Sequence, residues 1–81
     1  MDKGFLYIKV FEEIFEVEEG MLNEEFTFEK IDKWDSLTHL SLITALEDAF
    51  GVMFETDDIL NFGGFINGMK ILEKYGIDFS E

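Results

Sequence analysis

KWDSLTHLSLITALEDAFGV, residues 33–52, carries the reading of the whole chain. At roughly 100° per residue, with Leu37 set at zero, Leu42, Leu46, Phe50 and Ile43 fall between about 140° and 240°. That is one apolar face. Ser41, Thr44 and Asp48 lie within roughly 40° of zero on the opposite, wet face. The segment is therefore an amphipathic helix that starts at Asp35 or Ser36 and ends near Phe50, with Gly51 suited to the left-handed stop that follows. Leu37 sits in the middle of the wet face and Leu40 at its border. A lone exposed leucine needs no explanation, but this one follows a serine placed where a loop turns into a helix. Ser36 is then either a helix cap or first-turn serine and nothing more, or a point of attachment.

Upstream, Phe5, Ile8, Phe11 or Glu12, and Phe15 recur at helical spacing, and Leu6, Val10 and Ile14 widen the stripe. They predict a first helix over about Lys3–Val17. From Glu18 to Asp35 the periodicity fails, yet Met21, Leu22, Phe26, Phe28, Ile31 and Trp34 stay apolar. A long loop with so many hydrophobes must lie on a core, and its length points to function. Downstream, Thr56–Asn61 reads as a short helix with Thr56 as N-cap and Asp57 and Asp58 facing its dipole favourably. The stripe of Phe65 or Ile66, Met69, Leu72 and Tyr75 gives a last helix ended by Gly76. The fold class is all-α: a small four-helix bundle of three main helices and a short third one, with a long loop after the first.

The 81 residues set a single domain, 1–81, as the expectation, and a chain of this size buries only roughly 60% of its unfolded surface. An apolar share of 47% with ten phenylalanines is still enough for a core, so the composition is not that of a disordered chain. The absence of cysteine excludes disulfides and thiolate metal sites. No apolar run approaches a membrane span, and the charged start MDKGFLYIKVFEE does not read as a signal peptide. A cytoplasmic location is the resulting expectation. Six basic against 19 acidic residues leave a net charge of −13. That charge disfavours nucleic acid and anionic membranes as partners and favours proteins with basic patches.

Chemistry within the chain itself finds little support. His39 falls at about 200° on the same wheel, on the apolar face, where a satisfied, partly buried histidine is the ordinary outcome; a Ser36–His39 catalytic pair is not supported. Neither EVEEGMLNEEF nor FETDDILNFGG has the alternating oxygen ligands, glycine and closing glutamate of a calcium loop, so no metal site is expected. Asp35, Glu47, Asp48, Asp57 and Asp58 read as a solvated face or as a docking strip.

The order of parts then matters. A first helix, a long apolar-studded loop, DSL opening a helix that reads LxxLxxxLExxFG, a short acidic third helix and a final helix together resemble the acyl carrier protein family. These are the phosphopantetheine-attached carriers that also include peptidyl carriers. The resemblance covers nearly the whole chain and is strongest from Trp34 to Asp58. It implies that Ser36, the serine of DSL, bears a 4′-phosphopantetheine arm. A phosphopantetheinyl transferase would move that arm from coenzyme A with Mg²⁺. The arm's thiol would hold cargo as a thioester, and the protein itself would be a non-catalytic, monomeric carrier.

Asp35 would present the serine, Leu37 and Leu40 would touch partner enzymes, and Glu47, Asp48 and Asp58 would meet their basic side chains. Those partners would be an acyl- or aminoacyl-loading ligase and a downstream synthase or transferase. The core of Ile8, Phe11, Phe28, Leu42, Leu46, Ile59 and Met69 would open to shelter an acyl chain. Trp34 stands where the fatty-acid-synthesis members have a small residue, and Thr38 and Ser41 stand where they are often acidic. The chain is therefore closer to freestanding carriers of specialised pathways, such as polyketide, peptide, aminoacyl or surface-polysaccharide assembly. A different class of protein fits the same charge and helices: an unmodified acidic helical adaptor for a basic partner.

Overall fold

A computed structural model describes residues 2–80. Four helices follow in order: α1 (Lys3–Phe15), α2 (Ser36–Phe50), α3 (Thr56–Asn61) and α4 (Phe65–Lys74), with a single 3₁₀ turn at Glu19–Met21 in the first loop. The all-α four-helix arrangement read from the sequence is the one observed.

Helix α1 begins at Asp2, whose carboxylate accepts the Gly4 N–H at 2.8 Å and so satisfies one of the orphan donors of a helix start. It ends two residues before the expected Val17. Glu16 takes up the left-handed region with φ 57°, and the Lys33 ammonium, 3.3 Å from the Glu16 carboxylate, donates to the Phe15 carbonyl at 3.1 Å. A side chain from the far end of the loop thus closes the helix, and no local pattern announces it.

The buried face of α1 is also rotated from the expected stripe. Tyr7, Val10, Phe11 and Phe15 are the buried residues, whereas Phe5 is exposed under the Lys9 ammonium and Ile8 only packs at the edge. The i, i+4, i+8 series Tyr7–Phe11–Phe15 wins because the three rings stack into one aromatic core with Phe26, Trp34 and Phe65. Such ring pairs add about 0.5–1.5 kcal/mol each beyond the area they bury. The Tyr7 hydroxyl donates to the Phe65 carbonyl at 2.6 Å, joining α1 to α4, and burial pushes this phenol well above its usual range.

Helix α2 packs against α1 through Leu42, Ile43 and Leu46, and Gly51 ends it with φ 66°. The long loop does lie on the core: Phe26 and Trp34 are buried in it. Backbone alone then ties the loop to the α3–α4 junction. Phe28 N–H donates to the Gly63 carbonyl and Phe65 N–H to the Phe26 carbonyl, both at 2.9 Å, flanking a bridge between Thr27 and Gly64. This close approach accounts for the second of the paired glycines: a Cβ on Gly64 would stand 3.3 Å from the Thr27 methyl.

Two further expectations change. The N-cap of α3 is Glu55, not Thr56, and no side chain caps it; the Glu55 N–H donates instead to the Tyr75 hydroxyl at 2.9 Å. Of the expected core, Phe11, Leu42 and Leu46 are buried and Ile8, Ile59 and Met69 pack against them, but Phe28 is 46% exposed. The Phe28 N–H is tied to the Gly63 carbonyl and the Thr27 carbonyl takes the Lys30 and Ile31 N–H groups, and the Phe28 ring stays at the surface. Helix α4 buries Phe65, Ile71 and Leu72 and leaves Ile66 outside.

Candidate functional site

The start of α2 is fixed by Asp35. Its backbone is extended, and one carboxylate oxygen accepts the Thr38 N–H at 2.9 Å, as an N-cap does. That bond, with help from the Thr38 hydroxyl, holds the Asp35 carboxyl below its ordinary value. Ser36 is consequently the first helical residue and not the cap. It is exposed, and among the described residues no hydrogen bond holds its hydroxyl. The positive end of the α2 dipole and its unpaired first-turn donors make such a position tolerant of a phosphate ester.

Beside Ser36 opens a cavity of about 480 Å³ lined by Phe28, Glu29, Ser36, His39, Leu40, Ile59, Leu60, Phe62 and Gly63. Its walls are the loop, α2 and α3, and its lining is mostly apolar. It is not the expected core interior. Only Phe28 and Ile59 belong to both, because Leu42, Leu46 and Phe11 are sealed within the close-packed aromatic core behind Trp34. On the other side of the serine, Leu37, Leu40, Ser41, Thr44, Ala45 and Asp48 line a shallow groove along the solvent face of α2. An exposed hydroxyl between an apolar cleft and an apolar-edged groove fits attachment of a flexible arm that carries an organic group.

His39 is fully engaged. The Trp34 indole N–H can only donate, so the Nδ1 atom that it meets at 3.0 Å accepts. Nε2 therefore keeps its proton and donates to the Ile59 carbonyl at 2.8 Å. This is the satisfied, partly buried histidine expected from its place on the wheel, with no bond to Ser36.

The expected docking residues separate into two groups. Leu37, 79% exposed, lies on the solvent face of α2 together with exposed Leu40 and Asp48. Asp35 is exposed but occupied as the cap. Glu47 is half-buried, and its Oε2 accepts the Phe54 N–H at 3.0 Å. Asp58 corrects the expectation outright. It is 7% exposed, with both carboxylate oxygens occupied at 2.6 Å, one by the Lys74 ammonium and one by the Tyr75 hydroxyl. The Lys74 bond first and the Tyr75 bond second hold its carboxyl below the ordinary value. Asp58 fastens α3 to α4 and is not free to meet a partner.

Residues that the sequence pattern did not single out complete the cleft. Leu60 is 75% exposed at its edge, and Phe62, Gly63 and Glu29 line it. The signal for Leu60 was present, since a leucine in a helix of only six residues led by two aspartates has little core to face. No group of three or more His, Cys, Asp or Glu side chains among the described residues is arranged to hold a metal ion. Nor is any helix among them long and apolar enough to cross a membrane. No protein-family profile, curated protein or solved structure matches the chain.

Proposed function

We propose that this chain is an acyl carrier protein, non-catalytic in itself, that bears a 4′-phosphopantetheine arm on the Ser36 hydroxyl. The observation that carries the reading is the position of Ser36: exposed and unbonded at the first residue of α2, on the rim of an apolar cleft of about 480 Å³. The arm, when attached, supplies the thiol that this cysteine-free chain lacks and holds cargo there as a thioester. The chain's own residues do the rest. Asp35 fixes the first turn and so the direction in which the Ser36 oxygen points. Leu37 and Leu40, with Asp48 beside them, offer an apolar contact edged with negative charge to basic partner enzymes: the phosphopantetheinyl transferase, a loading ligase and a downstream synthase or transferase. Tethering makes each encounter with a partner's active site a local, high-concentration event. The departures at Trp34, Thr38 and Ser41 favour service in a specialised pathway.

The test is intact-protein mass spectrometry after incubation with coenzyme A, Mg²⁺ and a broad-specificity phosphopantetheinyl transferase. Wild type should gain the mass of one phosphopantetheine and Ser36→Ala none. The control is clean because Asp35 holds the cap, so Ser36→Ala should leave stability within about 0.5 kcal/mol of wild type. No gain by folded wild type with several transferases refutes the carrier reading and favours the unmodified acidic adaptor.

A further inference from the structure

The two walls of the cleft differ in strength. Behind α2 stands the aromatic core, with Trp34 only 2% exposed. Helix α3 is six residues long and has no side-chain cap at its start. It is anchored on one side, to α4, by Asp58 with Lys74 and Tyr75 and by the Asn67 amide on the Asn61 carbonyl. Towards α2, the His39–Ile59 bond is the one hydrogen bond that joins the two helices among the described residues. The same imidazole lines the cleft and accepts the Trp34 indole N–H, the two rings lying edge to edge with centroids 6.2 Å apart. One side chain therefore couples the fixed wall to the thin one.

We infer that His39 is the latch of the cleft beside Ser36. With both ring nitrogens engaged, α3 is held against α2. When the Nε2–Ile59 bond breaks, α3 swings on its anchorage to α4 and the cleft widens. The admission of cargo by this opening rests on the carrier reading; the latch itself is a property of the unmodified chain. A neutral imidazole suits the task because it donates with one nitrogen and accepts with the other across a span that ties three segments at once. A single exchangeable hydrogen bond also makes opening a shift of several-fold and not an unfolding event.

The test uses the unmodified protein and two substitutions. His39→Phe keeps a ring of similar size and makes neither bond; His39→Gln can still donate and accept through its amide. Amide hydrogen exchange of α3 is read against α1, and the cleft is probed with Nile red, a neutral dye that the acidic surface does not repel. His39→Phe should speed α3 exchange about five- to thirtyfold, leave α1 unchanged and raise Nile red fluorescence several-fold. His39→Gln should stay within about threefold of wild type on both readouts. Wild-type α3 exchange in His39→Phe overturns the latch, and so does equal acceleration of every helix in both variants, which marks a plain packing residue. Nitrogen NMR of the wild-type imidazole adds a check that needs no variant: Nε2 should carry the proton, and a proton on Nδ1 overturns the proposal. None of these readouts involves an arm, so failure of Ser36 to be loaded defeats the carrier reading alone.

Discussion

Gly68→Ala sets two effects of known size against each other. Gly68 lies inside α4 and is buried. On helix propensity alone, alanine there should gain about 0.8–1.0 kcal/mol. A Cβ at this position, however, would overlap the Phe62 ring and lie 2.5 Å from the Tyr7 hydroxyl. Both residues are fully buried, so neither ring has solvent to retreat into. Overpacking of this kind costs about 1–3 kcal/mol. Moving the Tyr7 hydroxyl away from the Phe65 carbonyl leaves a buried hydroxyl unpaired, which costs about 1–3 kcal/mol more. The crowding terms win, and the net loss centres near 3 kcal/mol. At about 4–8 °C per kcal/mol for a domain of this size, Tm should fall by roughly 12–24 °C. Thermal unfolding followed by circular dichroism measures it, with Gly20→Ala as the control. Gly20 is exposed, a Cβ added there would meet nothing within 4 Å, and its Tm should move by no more than roughly 4 °C. A Gly68→Ala Tm equal to or above that of wild type would show that the junction of α1 and α4 yields easily, and would refute the account of a rigid aromatic core.

Two further predictions concern charge. The Asp58 carboxyl is held below its ordinary 3.8 by Lys74 and Tyr75, so its contribution is fully present above that value and is lost as pH falls through the lower folded-state pKa. Acidification discharges the rest of the surface in every variant alike, so the quantity to measure is the Tm of wild type minus that of Asp58→Asn. It should be positive at about pH 6 and shrink below about pH 4; a difference that stays constant down to about pH 3 refutes the pairing. With 19 acidic residues against six basic, self-repulsion outweighs the ion pairs. Raising NaCl from about 0.01 M to about 1 M shrinks the screening length from about 30 Å to about 3 Å and should raise Tm. A Tm that falls steadily with salt refutes this.

What the sequence made legible was local. The bounds of α2 could be read because Asp35 and Gly51 act within one turn of themselves. The phase of α1 could not, because Phe5 is the more apolar of the two in the sequence and only the packing of Phe11 and Phe65 around Tyr7, with the Phe65 carbonyl to take its hydroxyl, favours Tyr7. Thr56 looked like a cap because threonine commonly is one. In the fold the Tyr75 hydroxyl, about twenty residues away, receives the Glu55 N–H. Asp58 looked like a surface acid for the same reason: its partners Lys74 and Tyr75 lie far along the chain, at the end of α4. Ser36 was legible as a position, since a helix start is local. The cleft beside it was not, because one of its walls is a loop whose path depends on Gly63 and Gly64 far along the chain.

The backbone stitch between residues 26–28 and 63–65 bears on how this protein can change over evolutionary time. Its bonds run between N–H and C=O groups that every residue but proline possesses. Replacing an exposed loop side chain such as Glu24, Glu25 or Glu29 therefore leaves the path of the loop intact. The route is inherited by the polypeptide, and the exposed lettering along it is free to drift, whereas the buried Phe26 and Trp34 are not, nor is Gly64, where Thr27 leaves little room for a side chain. A cleft wall built this way can exchange the groups it shows to an incoming molecule without rebuilding the bundle that supports it.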